Sequence, residues 1–396
     1  MLAIFLIPVY AAVNIGILLL GFRFLGACSR RLNCKAVKIA VSVFWSFLAL
    51  TPLMAYLLRD SLLKRILVPI CNFWMGGSLY LILLILLSLL LWLILKRFPA
   101  FSGNRKTSQR WLISSGWFVL FSVAALILYG TYNARTIRIT DYSLELENST
   151  MKNESLNIAL IADLHMGYSI GCEHLQQLVE KLNRLEPDLV CIAGDLFDNQ
   201  YESLEDPEKI AEILGGIQSR YGVYACFGNH DYEEEILAGF TFSSDREVTV
   251  GSGMRELLKA ANIRILEDET VLIDDKFYLA GRKDYSSRQK SGVQRKTPEE
   301  LLGSLDPSLP VLVMDHQPKE AEELAAAGAD LDLCGHTHDG QLFPANLITR
   351  LMWPNSYGVQ KEGTMYQVVT SGAGIFGPYM RIGTRSEIAL IHLQFR

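Results

Sequence analysis

The sequence predicts a membrane protein of two parts, a region of four transmembrane helices followed by an α/β domain. Three observations support this fold class. The first third of the chain holds four long stretches without charged residues. The balance of charge reverses between the two parts of the chain. From residue 155 onward, short apolar runs alternate with stretches of helical spacing, which is typical of a largely parallel sheet.

The transmembrane region is predicted to cover residues 1–134. Its four uncharged stretches are 2–22, 39–58, 66–95 and 111–134. A membrane-spanning helix needs about 20 apolar residues, and all four stretches are long enough. Buried helices of a soluble protein keep a polar face, and the third stretch has none. No stretch contains an ionisable residue, which favours an anchor over a transporter because transport paths usually contain one.

The loops between the stretches predict how the protein is oriented. Segments 23–38 and 96–110 hold five Lys or Arg residues each, whereas 59–65 holds three and 135–138 holds two. The positive-inside rule places the loops with five charges in the cytoplasm. Both termini and the C-terminal domain are then extracytoplasmic, and the protein is predicted to be a multi-pass protein of the cell membrane.

The charge balance of the second part excludes one class of partner. Residues 1–140 hold 15 basic residues and one acid, which leaves 22 basic and 41 acidic residues in 141–396. Affinity for nucleic acid comes mostly from Lys and Arg, so no nucleic-acid partner is expected. Residues 135–154 are polar and are predicted to be a linker. The soluble domain is predicted to span 155–396.

Within this domain, strands are predicted to alternate with helices. Helices are expected at 173–185, 207–218 and 318–327, where apolar residues have helical spacing. Three runs, 263–266, 270–273 and 277–280, are predicted to be short antiparallel strands. The other predicted strands are 156–162, 188–193, 221–227, 309–314, 330–334, 365–370 and 386–394.

Five short polar signatures directly follow apolar runs. They are Asp163-Leu-His165, Gly194-Asp195-Leu-Phe-Asp198, Gly228-Asn229-His230-Asp231, His316 and Gly335-His336-Thr-His338. Open α/β sheets bind their ligands at the carboxyl ends of strands. Aspartate, asparagine and histidine at those ends are the residues that a two-metal hydrolytic site needs.

The order of these signatures resembles the calcineurin-like metallophosphoesterases, in their membrane-anchored bacterial-type branch. The resemblance covers roughly residues 155–395 and implies an α/β sandwich, in which two packed mixed sheets are flanked by helices. It also implies two divalent metal ions. The first ion would be held by Asp163, His165, Asp195 and His338, and the second by Asp195, Asn229, His316 and His336.

The resemblance further implies the roles of the remaining residues. His230 would be the general acid that protonates the leaving oxygen, and a hydroxide bridging the two metals would be the nucleophile. We expect Asp231 to orient the imidazole of His230. Asp198 is expected to fix the Asn229–His230 loop. Nitrogen and oxygen ligands suit Mn²⁺, Fe, Zn²⁺ or a mixed pair, and ligand type does not choose among them.

The predicted function is hydrolysis of a phosphodiester or pyrophosphate bond at the membrane, with a lipid headgroup as one candidate substrate. One alternative is a pyrophosphatase acting on nucleotide-linked diacylglucosamine. Further alternatives are a phosphomonoesterase and a non-catalytic membrane scaffold that binds metal.

Two further features follow the last signature and leave alternatives open. Asp339 either contacts substrate or caps the turn, and a cap is favoured. Leu347, Ile348, Leu351 and Met352 share a helical face that ends at Trp353. This segment either contacts acyl chains or the bilayer beside the site, or it packs on the domain core.

Overall fold

The computed structural model describes residues 2–101, 104–147, 150–198, 200–232, 236–237, 240–241, 249–286 and 294–396. The chain divides into two compact units, Met1–Tyr129 and Gly130–Arg396.

The first unit consists of four long helices. They are α1 (Leu2–Cys28), α2 (Lys35–Leu57), α3 (Leu62–Leu95) and α4 (Arg105–Arg135), whose last residues belong to the second unit. All four are long and apolar enough to cross a membrane. Ser61 caps α3 by accepting a hydrogen bond from the Lys64 N–H. The four predicted helices are therefore confirmed, and α4 begins six residues earlier than the predicted span.

The second unit contains fourteen strands among the residues that the structure describes. In chain order they are β1 (Ile137–Leu146), β2 (Ser155–Ile161), β3 (Leu189–Ala193), β4 (Val223–Cys226), β5 (Ile236–Leu237), β6 (Phe240–Thr241), β7 (Ile263–Ile265), β8 (Glu269–Ile273), β9 (Phe277–Gly281), β10 (Val311–Met314), β11 (Leu331–Cys334), β12 (Gly358–Glu362), β13 (Met365–Val369) and β14 (Ser386–Phe395). Six helices accompany them: α5 (Cys172–Arg184), α6 (Pro207–Gly215), α7 (Ser252–Ala260), α8 (Pro298–Leu302), α9 (Ala321–Ala326) and α10 (Ala345–Met352).

The strands form two mixed six-stranded sheets and one short hairpin. The first sheet has the order β1-β14-β2-β3-β4-β7, and the second has the order β12-β13-β11-β10-β9-β8. In each sheet four neighbouring strands run parallel. These are β2, β3, β4 and β7 in the first sheet and β13, β11, β10 and β9 in the second. Strands β5 and β6 pair only with each other.

Alternate residues of the central strands enter different apolar layers, as the two-residue repeat of a strand requires. In β2, Leu156, Ile158 and Leu160 join a cluster that includes Leu312 and Leu333 of the second sheet. Ala159 and Ile161 instead join a cluster with residues of α5, α6 and α7. A third cluster joins the other face of β10 to α8 and α9. Two packed sheets flanked by helices form the predicted α/β sandwich.

Two details of the predicted fold are wrong. Residues 137–146, predicted as part of a linker, form β1, which pairs in parallel with β14 from Ile137–Ser386 to Leu146–Phe395. Ile137, Leu144 and Leu146 are buried, but exposed polar residues separate them on this edge strand, so its pattern is weak in the sequence. Strand β7 runs parallel to β4, and only β8 and β9 form the expected antiparallel pair.

Candidate metal centre

The polar signatures meet where strands of both sheets end. Strands β2, β3 and β4 of the first sheet and β10 and β11 of the second lead into them. Several of their residues have left-handed backbone angles, which cost energy for residues other than glycine. The φ values are 54° at Asp163, 47° at His165, 50° at Asp195, 73° at His336 and 51° at His338. Such backbone strain concentrates at functional sites.

The predicted ligands form two groups. We call Asp163, His165 and His338 the first cluster; their ligand atoms all lie within 4.8 Å of one another. His165 Nε2 is 3.0 Å from His338 Nε2, which in turn is 3.7 Å from Asp163 Oδ1. Both imidazole nitrogens therefore point at one small volume.

The second cluster consists of Asp195, His316 and His336, whose ligand atoms also lie within 4.8 Å of one another. His316 Nε2 is 3.1 Å from Asp195 Oδ2 and 3.2 Å from His336 Nδ1. Asn229 Oδ1 is 3.2 Å from the same His316 nitrogen. The structure thus brings together the four residues predicted for the second ion.

Asp195 lies between the two clusters. Its Oδ2 atom is 3.1 Å from His316 Nε2 and 3.8 Å from His165 Nε2. Its Oδ1 atom accepts a hydrogen bond of 2.8 Å from the backbone N–H of His230. A single buried carboxylate therefore reaches both groups of nitrogen ligands.

The chemistry of these donors fits divalent cations. Burial lowers the pKa of His165 and of His336 to about 3 and that of His338 well below its usual value. These imidazoles are therefore neutral at neutral pH, which is the form that binds metal. Burial also raises the pKa of Asp163 to about 7, a cost that a nearby cation would offset. The buried His165 Nδ1 has no hydrogen-bond partner among the described residues.

A backbone carbonyl fixes the ring of His316 in the second cluster. His316 Nδ1 is 2.9 Å from the carbonyl oxygen of Ala193, so it donates to that oxygen and directs Nε2 toward the cluster. The preceding residue, Asp315, is buried and pairs with the buried Arg282 and Arg295. We did not predict these arginines, because they lie 33 and 20 residues from Asp315 in the chain.

A buried arginine lies behind the first cluster. Arg381 donates hydrogen bonds to the carbonyl oxygens of Ser371 and Gly374, at 2.6 and 2.8 Å. Its Nη2 atom is also 3.2 Å from His338 Nδ1. Burial lowers the pKa of Arg381 to about 10, so the side chain remains a cation at neutral pH. A single arginine in a glycine-containing segment gave no signal in the sequence, and we did not predict it.

His230 is only partly buried, whereas His165, His316 and His338 are buried. Its ring packs against Phe376, with ring centroids 4.5 Å apart, and lies 5.1 Å from the ring of His165. A ligand atom of Asp198 lies within 4.8 Å of those of His165 and His230. Asp198 is therefore the carboxylate beside the His230 ring, and Phe376 is a neighbour that the sequence did not indicate.

Asp231 has a different role from the predicted one. Its Oδ1 atom accepts a hydrogen bond from the Phe197 N–H and its Oδ2 atom accepts one from the Gly228 N–H. These bonds connect the turns that follow β3 and β4. Asp231 therefore holds the backbone of the centre instead of orienting the His230 imidazole, because both carboxylate oxygens are engaged by buried amides.

The last signature continues into the rim of the centre. Asp339 is buried in the turn with φ 48°, and its N–H donates to the Thr337 hydroxyl, which agrees with the favoured role in the turn. The ring of Trp353 lies edge-on to that of His336, with centroids 5.2 Å apart. The ammonium group of Lys319 lies 5.2 Å from the centroid of the Trp353 ring.

This arrangement agrees with comparisons to known proteins. Residues 156–340 match the calcineurin-like phosphoesterase family. This part of the chain is a calcineurin-like metallophosphoesterase domain. The family uses a dinuclear metal centre, and the two clusters of the domain could each bind a metal ion.

Relatives of this metallophosphoesterase include membrane proteins. One is the "transmembrane protein with metallophosphoesterase domain" of Danio rerio, 32% identical over 302 residues, with 74% of this chain and 66% of the relative covered. A second is an uncharacterized metallophosphoesterase of Helicobacter pylori, 32% identical over 243 residues, with 61% and 60% covered. The chain spans slightly less than two thirds of the length of both relatives.

A more distant relative is the UDP-2,3-diacylglucosamine pyrophosphatase LpxG of Chlamydia trachomatis. It is 22% identical over 251 residues, which cover 55% of this chain and 72% of that protein. The four apolar helices and the relatives named as transmembrane proteins together indicate that this chain belongs to a membrane protein.

Proposed function

We propose that this protein is a membrane-anchored phosphoesterase with two metal ions that hydrolyses a phosphodiester or pyrophosphate bond, with a lipid headgroup as the favoured substrate. The observation that carries the proposal is the position of Asp195. Its Oδ2 atom lies within 3.8 Å of a histidine nitrogen from each cluster. A carboxylate in that position suits the bridge between two metal ions that phosphoesterases of this kind require.

In this proposal Asp163, His165, Asp195 and His338 hold one ion, and Asp195, Asn229, His316 and His336 hold the other. When bound, two such ions lower the pKa of water and offset the charge of a phosphoryl group. The buried protein frame supplies the rest. The Ala193 carbonyl and the amide of His230 fix the ring of His316 and the carboxylate of Asp195, so few groups must reorganise during the reaction.

His230 is the proposed general acid. It is the histidine of the five signatures that belongs to neither cluster, and it is only partly buried. A proton on its ring can reach a leaving oxygen that is bound beside both clusters. Asp198 lies next to this ring and is proposed to hold it in position. General acid catalysis of this kind contributes about 10²- to 10⁴-fold to a rate.

A pyrophosphate bond is the second candidate because one relative is named as a pyrophosphatase of UDP-2,3-diacylglucosamine. The phosphate groups of UDP-2,3-diacylglucosamine are joined to a diacylated sugar, so the same two-metal chemistry would apply to this compound. Hydrolysis of this compound by the purified protein, compared with that of a simple diester, would separate the two candidates.

The proposed location of the domain rests on the loops of the membrane region. The loops 23–38 and 96–110 hold ten basic residues together, against five in 59–65 and 135–138. We propose that the metal centre is extracytoplasmic. Labelling of an introduced surface cysteine in intact cells by an impermeant reagent tests this orientation, and a cytoplasmic domain would remain unlabelled until the cells are lysed.

The central experiment measures hydrolysis of bis(p-nitrophenyl) phosphate by the full chain in detergent, with and without added Mn²⁺. The full chain is required because β1 begins at Ile137 and completes the first sheet. We expect metal-dependent turnover that falls about 10²-fold or more in His230→Ala and in Asp195→Asn. His392→Ala is the matched control, since His392 lies on β14 and bonds to Asn157 outside the centre.

Turnover that survives in both variants would overturn the proposed centre. Two bound metal ions without turnover of this diester, of p-nitrophenyl phosphate or of UDP-2,3-diacylglucosamine would favour the scaffold alternative. Faster hydrolysis of the monoester than of the diester would assign the protein as a phosphomonoesterase.

A further inference from the structure

Helix α10 and Phe343, which lies two residues before it, carry an apolar surface that is exposed to solvent. We define the α10 face as Phe343, Leu347, Ile348, Leu351 and Met352, whose exposed fractions are 49%, 50%, 56%, 88% and 70%. In the described part of the second unit, nine large hydrophobic side chains are exposed, and these five lie within ten residues of one another. Scattered exposed apolar residues need no explanation, but a contiguous patch indicates an interaction site.

The orientation of α10 is the reverse of that of an ordinary surface helix. Asn346 is buried, and Thr349 is partly buried, whereas Leu347 and Leu351 point outward. A helix that packs on a domain core would bury its apolar face. The structure therefore excludes the alternative in which this face packs on the domain core.

Helix α10 lies close to the turn that carries two of the proposed metal ligands. The helix follows the last signature closely, and Gly340 approaches the backbone of Asn346 so tightly that a side chain at Gly340 would collide with it. Arg350 Nη2 lies 3.9 Å from Asp339 Oδ1, in the turn that contains His338. At the other end of the helix, the Trp353 ring contacts that of His336. The helix that carries the α10 face is therefore joined to the turn of His336 and His338 through Arg350 and Trp353.

Two basic side chains lie next to helix α10, Arg350, which pairs with Asp339, and Lys319, which lies near Trp353. The side chain of Arg350 is 58% exposed, and Lys319 lies over the rings of Tyr285 and Trp353. A phosphate group near the two clusters would meet these cations. A ligand that matches this surface has an anionic phosphate at one end and an apolar chain beside it. Such ligands are lipids, and the four apolar helices indicate that the protein resides where they are abundant.

We propose that the α10 face binds the acyl chain of a lipid-linked phosphate ester while the phosphate lies at the metal centre, between Arg350 and Lys319. This inference rests on the proposed phosphoesterase function and adds to it the surface that would hold the apolar chain of the substrate. Apolar contacts far from the reacting bond would raise the efficiency of hydrolysis of the lipid ester without changing the chemistry at phosphorus.

The test compares two phosphodiesters that share a leaving group, methyl p-nitrophenyl phosphate and hexadecyl p-nitrophenyl phosphate. The full chain in detergent is assayed with Mn²⁺ as the wild type and as the double variant Leu347→Gln/Leu351→Gln. We expect the double variant to lower kcat/KM for the hexadecyl ester by about tenfold, because two exposed leucines lose their apolar contacts. The value for the methyl ester should change less than about twofold.

Leu272→Gln/Val359→Gln is the matched control. Leu272 and Val359 are exposed apolar residues of β8 and β12, at 40% and 38%, away from the α10 face. The control should leave the kcat/KM values of both esters unchanged. An equal loss for both esters in the α10 variant, or no loss for either, would overturn the proposal.

A binding measurement keeps this inference separate from the phosphoesterase function. Hexadecyl phosphate with a diazirine on its chain is photo-crosslinked to the full chain, and labelled peptides are identified by mass spectrometry. We expect labelling within 343–353 that unlabelled hexadecyl phosphate competes away and that the α10 variant loses. This result would support the lipid surface even if neither ester were hydrolysed, in which case only the proposed function would fail. No labelling there, together with a smaller assembly for the α10 variant in native mass spectrometry, would assign the face to a second copy.

Discussion

The two clusters of the metal centre have the same composition of ligands but different surroundings. In the second cluster, a carbonyl oxygen accepts the Nδ1–H of His316, which directs Nε2 toward the cluster. In the first cluster, the cation of Arg381 lies 3.2 Å from His338 Nδ1. An arginine can only donate hydrogen bonds, so it does not stabilise a proton on that nitrogen.

The ligands of the two proposed metal positions are therefore held in place by different neighbouring groups. The second is preorganised by a neutral acceptor, as the ligands of most metal sites are. The first is held by a buried cation whose charge opposes that of a metal ion, while its hydrogen bonds to the carbonyls of Ser371 and Gly374 fix the surrounding loop. We therefore expect the first position to bind its ion more weakly.

Removal of one ligand from each cluster has the largest expected effect. His338→Ala and His336→Ala should each leave one bound ion per chain and lower the turnover of bis(p-nitrophenyl) phosphate by about 10²-fold or more, because the remaining ion cannot stabilise the transition state alone. Metal content by inductively coupled plasma mass spectrometry and turnover are measured on the same samples.

The two variants should differ in the affinity of the ion that remains. His338→Ala retains the second position and should hold its ion more tightly than His336→Ala does. Equal affinities would contradict the comparison, and loss of both ions in either variant would show that the positions bind cooperatively. His392→Ala again serves as the control with both ions bound.

Replacement of the buried arginines tests the hydrogen bonds that hold the segments around the metal ligands. We expect a smaller effect on turnover than removal of a ligand has. Arg381→Met leaves the carbonyl oxygens of Ser371 and Gly374 without a donor, and we expect the free energy of unfolding to fall by about 3 kcal/mol. Metal affinity at the first position should weaken about 10- to 100-fold, as for other residues that position ligands. Chemical denaturation and metal titration measure the two quantities.

Arg282→Met is the matched variant behind the second cluster. Arg295 would still pair with Asp315, so Arg282→Met should weaken metal binding less than Arg381→Met does. If Arg381→Met instead tightened metal binding, the positive charge of Arg381 would outweigh its role in positioning His338.

The smallest expected difference between the two metal positions is in how their metal affinity depends on pH. Burial alone lowers the pKa of His316, but the carboxylates of Asp195, Asp163 and Asp284 together outweigh burial and raise that pKa well above its usual value. A cation that enters the second position must displace this proton. Its affinity should therefore fall about tenfold for each unit of decreasing pH through the neutral range.

The first position should behave differently. Asp163 has a pKa raised to about 7 by burial, so it is mostly ionised above pH 7 and protonated below. The affinity of the first position should be constant above about pH 7 and fall only at lower pH. Calorimetric titration of the two single-position variants between pH 6 and 8.5 measures both slopes, and identical slopes would refute this assignment of the protons.

The main architecture of the protein was predictable from the sequence because its signals are local. Four uncharged stretches indicate the four helices, and apolar runs that end in Asp, Asn or His indicate strands with a site at their ends. Strand β1 was missed because an edge strand buries only part of its surface. Asp231 was correctly placed near the centre, but its bonds to Phe197 and Gly228 follow from the packing of two turns.

The sequence by itself determined the two-part organisation, the order of the strands along the chain and the set of polar residues that meet at the centre. Only the tertiary structure decided which ligands share a cluster, which buried arginines support them and which side of α10 faces solvent. The physical reason is that periodicity and strand ends are properties of neighbouring residues. The contacts of Arg381 with His338 and of Arg282 with Asp315 join segments 43 and 33 residues apart, and only the packing of the chain brings these together.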